Sequence, residues 1–341
     1  MKTILTGIRT NEEPTIANFL GAYAPMVRLA KEHANTTTPI NMFIPDLHSF
    51  TTPIDHSSFY AKTLKAVKYY IAAGLPVEAD NVHIYRQSRV PAHSELAWIL
   101  DCFTYMGEAS RMIQFKEKSE GQKESVSVGL FNYPILMAAD ILLYDATYVP
   151  LGEDQFQHLE LARDIANRIN NKFGENLFTI PAPETEQVKF MGLGSGLRIR
   201  SLTDPEKKMS KSSPVENSKI SLSDNPDLAV KKIMSATTDS LGKIAFDMFN
   251  QPGISNLLQI ESILTNIPLQ EVISRWTGET HYGELKSQVA TSVKSFLIDF
   301  QDKVAAATDE QILAILDQGE SYANQVANTK LHQVQSALGL R

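Results

Sequence analysis

Disulfide chemistry is missing from this sequence: among 341 residues there is a single cysteine, Cys102, with no second thiol to pair with. Long apolar runs are missing too, since none reaches the ~18 residues that cross a bilayer as a helix. Nor is there an excess of positive charge. Lys and Arg number 32 against 39 Asp and Glu, a formal net charge of -7. No overall basic field therefore marks a nucleic-acid partner, and any such partner must be met by a local patch. No internal repeat or long low-complexity tract is present. Met1-Lys2 leads at once into a strand-like run rather than a secretory leader. The expectation is a cytoplasmic protein with neither a membrane nor DNA as its partner.

What is present suffices for a core. Hydrophobic residues make up 43% and charged residues 21%, and the length favours two domains over one. The first half alternates short apolar runs with helical patterns. Strands are predicted over residues 2–8, 40–50, 81–88 and 145–154, and apolar spacing near 3.6 predicts helices over 59–75, 92–105 and 155–173. Repeated βα units of this kind build a doubly wound parallel sheet, which takes ligands at the carboxyl ends of its strands. Gly7, Asp46, His48 and the run Gly152 to Gln155 fall at such ends. Beyond Pro214 the strand-like runs fade, and helical spacing over 252–266, 283–304 and 309–338 predicts an all-helical C-terminal domain. The division expected is a sheet domain over 1–203, a loop over 204–214 and a helical domain over 215–341, its last helix returning to the first domain. "GLGSG" (192–196) has the wrong spacing for a dinucleotide turn and reads as a connector.

Several residues carry two readings each. "DPEKKMSKSSP" (204–214) is either a solvated linker or a mobile cationic loop whose ammonium groups follow charge on a polyphosphate. Asp140 stands alone in the apolar run "YPILMAADILLYD". A buried carboxylate needs donors, supplied by a structural partner or by a ligand with a buried N–H, of which indole is the amino-acid example. Glu153, Asp154 and Gln155 suit a helix start through the macrodipole, and equally suit ribose hydroxyls at a strand end. Thr15 is a candidate helix cap and Gly21 a close-packing point, while the same helix start offers free N–H groups to phosphate. His48 has structural and ligand readings, and Lys116, Lys118 and Lys123 read mostly as a solvated loop.

Taken together, these segments resemble the class I aminoacyl-tRNA synthetases, and within them the tryptophanyl group. Lys208-Met209-Ser210-Lys211-Ser212 spells the KMSKS signature after "SLTDPEK", and "TIANFLGA" (15–22) is similar to that group's HIGH motif, with Thr15 and Asn18 at its histidine positions. "RMIQFKEKS", "VPLGEDQFQHLELARDIA" and "PGISNLL" add to the likeness, which runs past residue 260 and more loosely to the end.

The resemblance implies a Rossmann-like domain that activates L-tryptophan with ATP and Mg2+, then passes it to tRNA(Trp), in a homodimer. It implies that Asp140 accepts the indole N–H, that Met137, Val149, Gly7, Leu5 and His48 shape the pocket, and that Tyr133 and Gln155 hold the α-ammonium. Asp154 and Gly152 would meet the ribose, and Arg9, Thr15, Asn18 and Met209 the rest of the nucleotide. Lys118, Lys208 and Lys211 would act catalytically on the phosphates. Departures from the group's pattern cluster at Arg9, Thr10-Asn11-Glu12 and Ala17, where Glu12 would repel phosphate unless Arg9 offsets it, and at Arg200 before the signature. The competing readings are a tyrosyl enzyme, a synthetase-like protein that binds RNA or a nucleotide without activating anything, and another nucleotidyltransferase of the same fold.

Overall fold

Among the described residues, three short parallel strands, β1 (Ile4–Gly7), β2 (Ile40–Ile44) and β3 (Val82–Arg86), form the sheet in the order β1-β2-β3. The structure is a computed structural model and describes residues 2–7, 13–113, 115–116, 126–174, 176–191 and 199–341. On the far side of β1, Tyr148 adds a single parallel bridge to Ile4, with Leu5 N donating to Tyr148 O at 2.9 Å and Tyr148 N to Thr3 O at 3.0 Å. The chain thus winds from β1 across β3 and returns to the other flank of β1. That reversal makes the switch point at which doubly wound sheets bind ligands.

The run 145–154 is not the full strand that its apolar pattern predicts. Asp145 enters it with φ at 48°, Pro150 has no N–H to give to a ladder, and Val149 N donates at 2.9 Å to the side chain of Gln187 instead. β2 likewise stops at Ile44, because Pro45 breaks the ladder and Asp46–Ser49 turns into one helical turn. The predicted helices appear at His56–Ala72, Ala92–Asp101 and Phe156–Phe173. Asp55 caps the first through Ser57 N at 3.0 Å, and Gly174, at φ 67°, ends the third in the left-handed conformation that glycine adopts without strain.

Period-2 alternation sorts each strand between two cores. Leu5, Phe43 and Tyr85 face helices Ala92–Asp101, Val128–Leu142 and Phe156–Phe173. Ile4, Ile40, Met42, Ile44 and Ile84 face the other way, onto helices Ala24–His33 and His56–Ala72. The last helix, Asp309–Ala337, starts with a Thr308 capping box and lies along β3. It gives Ile312 and Leu316 to one core and Ala323, Ala327, Leu331 and Val334 to the other, which covers the open sheet edge. Gly319 makes that approach possible, since a Cβ there would stand 1.9 Å from Ile84 O. Beside it the buried pair Glu320–Arg86 bonds through Oε2 and a guanidinium nitrogen at 3.0 Å.

A third core joins helices Pro226–Met234, Pro252–Thr265 and Tyr282–Ala306 to Ile16, Leu20 and Met209. Phe296 and Phe300 of the long helix reach the Phe19 ring at 4.7 and 5.2 Å, and Phe300 also meets Tyr69 at 5.4 Å. Gly21 does not serve the close packing that the sequence suggests: among the described residues outside its own helix backbone, a Cβ there meets nothing within 4 Å. "GLGSG" lies outside the described residues. Gly319→Ala should therefore lower the unfolding free energy in urea by about 1–3 kcal/mol, whereas Gly21→Ala should cost nothing.

Candidate active site

Helix Val128–Leu142 starts from the Ser127 cap, whose Oγ accepts Leu130 N at 3.1 Å, and is buried along most of its second half. This apolar register carries Asp140 inward at 1% exposure. Its donors come from three other segments. Gln87 Nε2 reaches Oδ1 at 2.7 Å, His93 Nδ1 reaches the same oxygen at 2.6 Å, and His48 Nε2 reaches Oδ2 at 2.8 Å. Burial alone would raise the carboxyl pKa, but the bonds from His48 and His93 outweigh it and hold the group at about 2. Asp140 is thus an ionised buried carboxylate.

The structural partner expected for Asp140 is present, as two histidines and a glutamine. His48 has the structural role among its two readings: Nε2 is bonded to Asp140, while the buried Nδ1 has no partner among the described residues. Gln87 and His93 were not singled out in the sequence. Gln87 stands one residue beyond the carboxyl end of β3, so the strand-end rule already contained the signal for it. His93 lies inside a helix and had none.

A second chain of bonds adjoins this cluster, because the rings of His48 and Tyr133 meet edge to face at 6.2 Å. Tyr133 OH lies 3.1 Å from His158 Nε2, His158 Nδ1 lies 3.0 Å from Gln155 Oε1, and Gln155 Nε2 donates to Asp154 Oδ2 at 2.7 Å. The last bond sets the direction of the others: Gln155 presents its oxygen to His158, so Nδ1 carries the proton and Nε2 accepts from Tyr133. Both residues matched to the α-ammonium are thereby joined to the residue matched to the ribose, through a histidine that sequence reading passed over. Gln155 makes no side-chain cap to the helix that follows it. Around these groups, Leu5 and Val149 are buried and Met137 is partly buried in the same core. Gly7 ends β1 where a Cβ would press on Phe43 O at 2.7 Å. Gly152 and Asp154 are exposed.

The KMSKS segment is anchored at its middle. Met209 is buried in the third core and its N donates to Ile199 O at 3.0 Å, while Ser201 N donates to Lys207 O at 2.9 Å. Arg200, the departure from the tryptophanyl pattern, donates through one guanidinium nitrogen to Pro205 O at 3.1 Å and Glu206 O at 3.0 Å, clasping the turn that leads into the signature. Lys207 pairs with Asp204 at 2.8 Å. Lys219 Nζ bonds the carbonyls of Lys211 and Ser213, both at 2.9 Å. Lys208 is exposed and Lys211 half-buried.

The chain beyond this loop pairs with the start of the "TIANFLGA" segment. Ile16 N donates to Ile220 O at 2.8 Å and Leu222 N to Pro14 O at 2.9 Å, around an antiparallel bridge between Thr15 and Ser221. Two regions separated by some two hundred residues are thus fastened side by side. Thr15 caps its helix as expected, with Asn18 completing a capping box: Asn18 Oδ1 accepts Thr15 N at 2.9 Å and Thr15 Oγ1 at 3.0 Å. Arg9, Thr10, Asn11, Glu12, Lys118 and Lys123 lie outside the described residues.

The chain has counterparts among known proteins. The family model for class I tRNA synthetases (W and Y) matches residues 2–298. A tryptophan--tRNA ligase of Caldanaerobacter subterraneus subsp. tengcongensis is 45% identical over 340 residues, covering 100% of this chain and 99% of the relative. The crystal structure of tryptophanyl-tRNA synthetase from Mycoplasma pneumoniae superposes with a TM-score of 0.82 at 33% identity, over 100% of this chain and 98% of that one. The Campylobacter jejuni tryptophanyl-tRNA synthetase, complexed with ADP and tryptophan, gives 0.80 at 29% identity, over 99% of each chain.

The Asp140 cluster has a measurable acid limb. In an unfolded chain an aspartate titrates at about 3.9, whereas Asp140 is held at about 2. Its ionised form therefore adds stability above about pH 4, which is lost as pH falls through 2, on the order of 2 kcal/mol in all. Urea unfolding at stepped pH should show that loss, and Asp140→Asn should lack it.

Proposed function

The chain belongs to the class I tRNA synthetases of the tryptophan and tyrosine group, and on that premise we propose that it is a tryptophan–tRNA ligase. It activates L-tryptophan with ATP to the aminoacyl-adenylate and then esterifies tRNA(Trp). The observation that carries the amino acid is Asp140: an ionised, buried carboxylate whose donors among the described residues leave one acceptor position unused. Indole is the side chain with one N–H on a large apolar body, and it meets that demand. Phenylalanine brings no donor, so its binding would leave the charge unpaired.

In the first step an oxygen of the tryptophan carboxylate attacks the α-phosphorus, the bond to the bridging oxygen breaks, and pyrophosphate leaves. In the second, a ribose hydroxyl at the tRNA terminus attacks the adenylate carbonyl and AMP leaves. Neither step needs a protein nucleophile. The work of the protein is alignment and stabilisation of charge on the departing phosphates. Tyr133 and Gln155 hold the α-ammonium through their oxygens, and Met137, Val149, Leu5, Gly7 and His48 wall the indole. Asp154 beside Gly152 takes the ribose; Thr15, Asn18, Met209 and Arg9 line the remainder of the nucleotide.

Lys208, Lys211 and Lys118 meet phosphate oxygens. Lys208 and Lys211 flank the buried Met209, an arrangement that supports a loop pivoting on its anchor as charge moves to pyrophosphate. These lysines bring cations, not carboxylates; Mg2+ would be carried by the triphosphate and water, where it would supply charge neutralisation beside the lysines. The protein works in the cytoplasm as a homodimer. Apolar surface is available for a second copy at Trp98, Met106 and Val128, all strongly exposed on elements that pack together.

ATP–pyrophosphate exchange with a panel of amino acids tests this directly: tryptophan should support exchange, while tyrosine and phenylalanine should not. Exchange with tyrosine, or with none of the panel, would sink the reading. Lys211→Ala should slow exchange by on the order of 10²–10³. A near-normal rate would remove Lys211 from catalysis.

A further inference from the structure

We propose that Gln87 and His93 are positioning residues for amino-acid selection: together they saturate one oxygen of Asp140 and so aim the single open lone pair of the other at the substrate. This rests on the reading that Asp140 accepts the indole N–H. An ionised carboxylate offers about four lone-pair sites. Two on Oδ1 are taken by Gln87 Nε2 at 2.7 Å and His93 Nδ1 at 2.6 Å, and one on Oδ2 by His48 Nε2 at 2.8 Å. The remaining site is on Oδ2. Turning the carboxylate would break three buried bonds, so that site has a set direction.

The donors are themselves held. Gln87 Oε1 accepts Leu47 N at 3.2 Å, so its amide must present N–H to Asp140. His93 Nε2 lies 3.0 Å from Tyr144 OH, and its ring lies near those of Phe43 and Tyr85 at 6.2 and 6.3 Å. Gln87 and His93 are both fully buried, so water does not replace a lost bond without opening the core. With either donor removed, the carboxylate rotates toward the gap. Recognition of the N–H then weakens, while a ligand lacking it meets a less rigid unpaired charge.

The test compares kcat/KM in ATP–pyrophosphate exchange for L-tryptophan and for 3-(3-benzothienyl)-L-alanine, in which sulfur replaces the indole N–H. His93→Phe keeps a ring but no donor, Gln87→Met keeps length but no donor, and His93→Asn restores a donor near the Nδ1 position. The first two should each lower the tryptophan-to-analogue ratio by about 10-fold or more, mainly through the KM for tryptophan, and His93→Asn should recover most of it. A residue that only packs would depress both substrates equally. An unchanged ratio in either donor-less variant that unfolds cooperatively and still activates tryptophan therefore overturns the proposal. The two positions lie on separate elements, so loss of folding in one variant leaves the other to decide. If the unsubstituted enzyme activates tryptophan but does not prefer it to the analogue, the role of Asp140 falls and this proposal with it. If the unsubstituted enzyme does prefer tryptophan, a ratio left unchanged in either variant sinks the proposal alone.

Discussion

The constraint on which this site depends is the burial of one ionised carboxylate. Asp140 sits at 1% exposure, where an unpaired charge would cost several kcal/mol. It is tolerated because donors converge from three places: His48 after β2, Gln87 after β3 and His93 in the following helix. Each of those segments is consequently tied to helix Val128–Leu142. The charge that recognition would use is also the clamp that holds the carboxyl ends of two strands against that helix. Polar networks of this kind stabilise best when every member is satisfied, and here His48 Nδ1 is without a partner among the described residues.

The second half of the molecule braces the first. The last helix covers β3 and shares both sheet cores, while Tyr282–Ala306 packs through Phe296 and Phe300 on Phe19 and Tyr69. Met209 of the signature belongs to that helical core. The loop that bears Lys208 and Lys211 is therefore set by the helical domain, whereas Asp140 and Asp154 are set by the sheet domain. Substrate groups lying between the two sets would sense any change in their relation, which gives a fold of this kind a way to couple loop movement to chemistry.

Much of this was legible beforehand, in specific places. The strands, the long helices and the helical C-terminal half follow from periodicity, because burial of one face imposes a period on the chain. The Thr15 cap follows from local chemistry. The segment 145–154 was over-read because apolar content does not reveal that Pro150 cannot donate and that Val149 N prefers a glutamine side chain. Arg200 looked like a defect in a pattern; its guanidinium in fact clasps two carbonyls of a turn a few residues on, a contact with no signature of its own.

By itself the sequence determined most of the elements and the identity of the charged groups, since these depend on residue type and on spacing of a few positions along one chain, and its motifs carried the family resemblance. Only the tertiary structure decided what Asp140 is bonded to, that His158 joins Tyr133 to Gln155, and that Ser221 is fastened beside Thr15. The physical reason is distance along the chain. A hydrogen bond between residues 47 or 92 positions apart, as for Asp140 with His93 and His48, leaves no periodic trace and is set by how whole helices and strands pack.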